Sequence, residues 1–84
     1  MYNKKYRFAK IEQFHRHNPV YDDMEGCVCY PVYLKVGERG WVLYEEEWDY
    51  IPHRLQLSII KNVECFDDKI IITTENTRLT LEVI

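Results

Sequence analysis

Hydrophobic and polar positions alternate most regularly at the end of the chain. Leu79, Leu81 and Val83 interleave with Arg78, Thr80 and Glu82, the period of two that turns one face of a strand to a core and the other to water. Ahead of them Ile70, Ile71, Ile72, Thr73 and Thr74 make a β-branched run, a composition that packs well on a pleated surface. The link Glu75-Asn76-Thr77 is short and holds an Asn, which tolerates turn conformations, so the two runs are expected to form a hairpin. A further run over 61–66 meets the first through Asp67-Asp68, another turn signal. Three successive antiparallel strands follow.

Upstream, a strand over 27–36 would place Val28, Tyr30, Val32, Leu34 and Val36 on one face and Cys27, Cys29, Pro31, Tyr33 and Lys35 on the other. Pro31 has no N–H for a ladder, which predicts an edge or a bulge at mid-strand. Gly37-Glu38-Arg39-Gly40 reads as a turn, and 41–45 returns as the partner. Arg54-Leu55-Gln56-Leu57 alternates, then breaks at Ser58-Ile59-Ile60, where a helical turn or a kink is expected. Phe8, Ile11 and Phe14 recur at spacing three, but the segment 6–14 has no helix cap and is aromatic, which favours a bulged strand. The expected core is Leu79, Leu81, Val83, Ile70, Ile72, Val63, Leu55, Val32 and Leu34.

Short strands with turns every few residues, in a chain of 84 residues, leave too little material for a two-sheet sandwich. The expectation is an all-β single domain over 1–84: a small antiparallel barrel of the Src-homology-3-like type, or a strongly bent sheet, of five to seven strands. Closure would hide edges that an open sheet of this hydrophobicity would expose.

Charge divides this domain into a basic N-terminal segment, 1–17, and a β body, 26–84. Lys4, Lys5, Arg7, Lys10 and Arg16 stand against Glu12 alone in the first, a net of +4, while the rest of the chain carries −7. No apolar run is long enough to span a membrane, and no apolar stretch follows the basic start as a secretion signal would require. The three cysteines, Cys27, Cys29 and Cys65, are odd in number and point to free thiols and a reducing, cytoplasmic setting.

Chemistry-bearing groupings are sparse. His15-x-His17 and Cys27-x-Cys29 contain metal-ligand types, but Cys-x-Cys on a strand lacks the turn that gathers two thiolates around zinc. Ser58 is the only serine and has no glycine elbow. Asp22-Asp23 and Asp67-Asp68 lie in expected turns, where Asp satisfies backbone amides. Gly37-Glu38-Arg39-Gly40 lacks the lysine and helix of a phosphate loop. The expectation is a non-enzymatic protein without metal or cofactor.

Two stretches suggest partners. Glu45, Glu46, Glu47, Trp48, Asp49 and Tyr50 cluster carboxylates around a Trp, in what reads as an exposed loop running to His53; a rigid aromatic with acidic neighbours suits docking to a basic protein. Alternatively, Trp48 folds back to plug the barrel. The basic residues Lys4, Lys5, Arg7, Lys10 and Arg16, with His15 and His17, interleave with Tyr2, Tyr6 and Phe14, as in single-stranded nucleic-acid binders.

The pattern His53-Arg54-Leu55-x-x-Ser58-Ile59-Ile60-x-x-Val63, followed by Ile72-Thr73-Thr74-x-Asn76-Thr77-x-x-x-Leu81, resembles small uncharacterised proteins encoded by phages and mobile elements of Gram-positive gut bacteria. The resemblance covers 26–84 and implies a context, with no activity and no site residues. Short phage-encoded proteins often inhibit or adapt a host protein. The leading expectation is therefore a protein-interaction module of that kind, bound to a host or phage protein through the acidic aromatic loop. A nucleic-acid-binding barrel using the basic segment is the alternative. A self-assembling protein, its Pro31 edge buried in a homodimer, is the third.

Overall fold

A computed structural model describes residues 4–46 and 49–84. Six strands, β1 (Tyr6–Gln13), β2 (Val28–Tyr33), β3 (Arg39–Glu46), β4 (Asp49–Cys65), β5 (Lys69–Thr74) and β6 (Thr77–Val83), run in chain order around a closed antiparallel barrel. Each strand pairs with its neighbours in sequence, and β1 returns to β6 to complete the wall. The all-β barrel expected from periodicity is the fold.

The C-terminal meander follows the alternation closely. Ile70 pairs with Leu81 and Ile72 with Leu79, and all four are buried. With Phe8, Cys29, Val42, Leu55, Leu57 and Ile60 they fill the barrel. Thr74 and Thr77 close the β5–β6 turn from inside. Their hydroxyls lie 2.9 Å apart, and Thr74 Oγ1 accepts the backbone N–H groups of Asn76 and Thr77. Two buried polar side chains thus cap the core without an unmet hydrogen bond.

Bulges decide which face turns inward. On β1, Tyr6 and Phe8 point in, and the register against β6 then shifts between Phe8 and Lys10, making this segment the bulged strand its sequence suggests. On β2 the inward side chains are Cys29 and Pro31, not Val32. The register against β3 slips between Pro31 and Tyr33, which flips the parity and returns Leu34 to pack against the core. The expectation that Val32 and Leu34 share a buried face fails for that reason. Val63 and Val83 are likewise only partly buried.

Of the helical turn or kink expected at Ser58-Ile59-Ile60, β4 has the kink. No helical turn interrupts it; it runs for 17 residues, pairing with β3 up to Ile59 and with β5 from Ile60. Its inward residues step from Leu57 to Ile60, so the broken alternation at Ser58-Ile59 marks a strand that bends from one partner to the next.

The connection between β1 and β2 contains a single 3₁₀ turn, Pro19–Tyr21, started by Asn18, whose side chain accepts the N–H of Val20 at 3.1 Å. Tyr21 and Met24 drop into the core while Asp22, Asp23 and Glu25 stay exposed. Gly26 ends the excursion at φ 92°, a left-handed conformation that glycine adopts without steric cost. Its N–H donates to the Phe8 carbonyl at 2.7 Å. Among the described residues no helix is long and apolar enough to cross a membrane.

Candidate functional site: an acidic groove beside the β3–β4 hairpin

The acidic stretch is not the long loop its composition suggests. Glu45 and Glu46 are the last residues of β3, Asp49 and Tyr50 the first of β4, and Glu46 pairs with Asp49. The ladder continues through Tyr44 opposite His53, whose rings lie 5.4 Å apart. Extended backbone here follows from β3 and β4 being consecutive antiparallel strands. Glu47 and Trp48 lie outside the described residues.

Beside this hairpin end opens a groove of about 1070 Å³, walled on one side by β3 and on the other by the 19–28 connection. Five carboxylates line it: Asp22, Asp23 and Glu25 from the connection, Glu45 and Glu46 from β3. No Lys, Arg or His is among its described lining residues, while Val20, Met24 and Tyr44 supply apolar surface. The chain brings two acidic runs together that lie twenty residues apart in sequence.

Local contacts fix some of these groups and leave others available. Tyr30 donates its hydroxyl to Glu45 Oε2, and that bond, with some burial, raises the Tyr30 pKa. Burial and then the nearby Glu46 raise that of Tyr44. Glu25 Oε2 accepts the Ile11 N–H at 3.3 Å, and Asp22 Oδ1 meets His17 Nε2 at 2.7 Å. No ion pair or hydrogen bond engages the carboxylates of Asp23 or Glu46 among the described residues. These two are the free charges of the groove.

Sequence reading missed the connection's share. Asp22-Asp23 was expected only to stabilise a turn, yet the backbone bonds there run between main-chain groups, such as Met24 N–H to Tyr21 O and Cys27 N–H to Met24 O. The available signal was the buried spacing of Tyr21 and Met24, which forces the residues between and after them outward.

The basic segment fares differently. Lys4, Lys5, Arg7, Lys10 and Arg16 are all exposed, but Tyr6 is 5% exposed and cannot stack on a base. Lys10 pairs with Glu12, which also meets Arg78. Arg7 stands opposite Glu82 on β6, and Lys5 lies 5.9 Å from the centre of the Tyr30 ring. Phe14 is exposed, but its ring is met by Arg78 at 5.7 Å and edge-on by His15. Tyr2 lies outside the described residues.

No disulfide joins the three cysteines: Cys27 Sγ donates to the Asp23 carbonyl at 3.4 Å, Cys29 is buried and Cys65 exposed. Among the described residues no three of His, Cys, Asp or Glu converge as metal ligands. Of the edge or bulge that Pro31 predicts, the structure has the bulge: the β2–β3 register shifts between Pro31 and Tyr33, and Pro31 itself is buried in the barrel wall. Compared with protein-family models, with curated proteins and with solved structures, the chain gives no significant match.

Proposed function

We propose that the protein is a non-enzymatic interaction module that receives a basic segment of a protein partner in the groove between the 19–28 connection and the end of β3. One observation carries this reading: five carboxylates from two separate segments share one concave surface with apolar patches, and no Lys, Arg or His is among its described lining residues. Clustered like charge raises the local concentration of an oppositely charged partner, and the apolar surface of Val20, Met24 and Tyr44 gives that partner something to bury. This is the behaviour of an inhibitor or adaptor of the kind small phage proteins supply. Asp23 and Glu46 steer, since no ion pair or hydrogen bond engages their carboxylates among the described residues; Glu45, held by Tyr30, shapes the wall.

Fluorescence anisotropy at low salt tests the reading with two labelled probes, an arginine-rich peptide containing Leu and Phe, and a single-stranded oligonucleotide. The peptide is expected to bind and the oligonucleotide not. Peptide affinity at low salt should fall about tenfold or more in the double variant Asp23→Lys, Glu46→Lys. Preference for the oligonucleotide, or peptide affinity undiminished by charge reversal, would overturn the assignment.

A further inference from the structure

A second concavity lies where β1 ends, at the bend of β4 and the β5–β6 turn, with a volume of about 570 Å³. The Phe14 N–H donates to the Asn76 carbonyl at 2.9 Å, and Asn76 Nδ2 donates to Ser58 Oγ at 2.8 Å. These two bonds hold the three elements around one hollow.

Its polar lining is unusual in what is already spent. Gln13 Oε1 accepts the Asn18 N–H at 2.7 Å, and Asn18 Oδ1 accepts the Val20 N–H at 3.1 Å. Ser58 Oγ accepts from Asn76. An amide carries one acceptor and an NH₂ donor, and a hydroxyl can donate while it accepts. With their acceptor atoms engaged, Gln13 and Asn18 retain their NH₂ groups, and Ser58 retains its O–H. To these the Arg16 guanidinium adds five N–H donors, and no ion pair or hydrogen bond engages it among the described residues.

Carboxylates are missing from the described lining, although the body of the protein is acidic. Those nearby are already paired: Asp22 to His17, itself a lining residue, at 2.7 Å, Glu12 to Lys10 and Arg78, and Glu75 to Lys61 at 3.8 Å. A concave surface with several unspent donors and no carboxylate in its described lining is matched by an oxyanion.

We propose that this hollow binds a phosphate monoester, its phosphoryl group held by Arg16 with the side chains of Gln13, Asn18 and Ser58. A planar carboxylate would be satisfied by the guanidinium fork alone. Donors from β1, from the connection and from the bend of β4 line the one hollow, and a tetrahedral oxyanion accepts on more sides than a planar carboxylate. The space exceeds what a phosphate fills and lies within the roughly 300–1,000 Å³ of small-molecule sites, leaving room for the ester's organic part. This site is separate from the acidic groove, and its success or failure does not depend on the partner proposed there.

The test is an amide-resolved NMR titration of the full chain with inorganic phosphate, with a nucleoside 5′-monophosphate and with acetate. Saturable shifts are expected at Gln13, Arg16, Asn18, Ser58 and Asn76, for both phosphates and not for acetate. Tighter binding of the ester assigns the remaining volume to its organic part, and equal affinities assign the site to free phosphate; either supports the phosphoryl site. Arg16→Gln is expected to weaken binding by about tenfold or more, as loss of a charge-assisted pair should, while Lys10→Gln leaves it unchanged. Arg16 is exposed, so an unaltered spectrum elsewhere verifies that the variant is folded. Acetate binding as well as phosphate, an unchanged affinity in Arg16→Gln, or shifts spread over the lysines would overturn the proposal.

Discussion

Gly40 has no room for a side chain, although its backbone is one any residue can adopt. A methyl group there would sit 2.5 Å from the Tyr33 carbonyl oxygen and 2.5 Å from Ile60 Cδ1. The end of Ile60 can swing away; the carbonyl belongs to β2 and moves only with that strand. Gly40→Ala should therefore cost about 1–3 kcal/mol, as overpacking does, and lower Tm by roughly 5–20 °C. An unchanged thermal midpoint would mean that β2 and β3 separate freely at this point. Cys29 makes a second test at the same scale. Burial, with Cys27 nearby, pushes its thiol from an ordinary 9.0 up to about 12. Between those values the unfolded chain has released the proton and the native protein has not. Unfolding then releases a proton, so stability is full below pH 9 and is lost as pH rises toward about 12. Burial also raises Tyr6 and Tyr21, with the same sign. Urea melts at about pH 8 and about pH 10.5 should show this loss, and Cys29→Ala should make it shallower. A stability curve flat to alkali would remove the buried thiol from the account.

At the level of elements, the barrel closes through its narrowest seam. β1 meets β2 only at Tyr6 opposite Cys29 and Arg7 opposite Val28, extended by Phe8 N–H to Cys27 O and Gly26 N–H to Phe8 O. β1 and β6, by contrast, stay paired from Tyr6–Val83 to Gln13–Thr77. Cooperative opening starts where few bonds hold a unit in place, so in hydrogen exchange the amides of Phe8 and Gly26 should exchange well before those of Ile72 and Leu81. Equal protection would show that the seam opens only with the whole barrel. The same contrast explains what was legible in the sequence. β5 and β6 keep unbroken alternation, and their hairpin turn and inward faces could be read directly. In β1, β2 and β4 the bulges reverse parity between Phe8 and Lys10, between Pro31 and Tyr33, and around Ser58. Pro31 announced its bulge but not which side would turn inward, because both faces of β2 carry apolar residues. The acidic hairpin end was legible as charge. Its partner wall was not, since Asp22, Asp23 and Glu25 join it only when Tyr21 and Met24 enter the core.

For the whole molecule, folding rearranges the charge that the sequence segregates. Lys69 pairs with Glu82, Glu82 with Arg7, Arg7 with Val28 and Val28 with Glu45. The charged members of this row across five strands alternate in sign, with the neutral Val28 between Arg7 and Glu45, and Arg7 of the basic segment stands opposite a carboxylate. Opposite charges facing one another across strands stabilise modestly and cancel at a distance. The acidic groove is not cancelled in this way, because among the described residues no ion pair engages the carboxylates of Asp23 and Glu46. Two consequences separate steering from folding. Asp23→Lys with Glu46→Lys should leave Tm within a few degrees of the parent, since unpaired surface charges contribute little to stability. The same variant should associate with a basic peptide about tenfold or more slowly at low ionic strength, through loss of long-range attraction. Between about 20 mM and about 200 mM salt the two rates should converge, because the screening length contracts below the span of the groove. Dissociation should change less than association, as it does when charges guide encounter more than they hold the complex. Stopped-flow mixing across the salt series reads all of this on one pair of proteins. Association rates that differ equally at every salt concentration would mean that the two carboxylates act by contact, and the groove would then be a docking surface without steering.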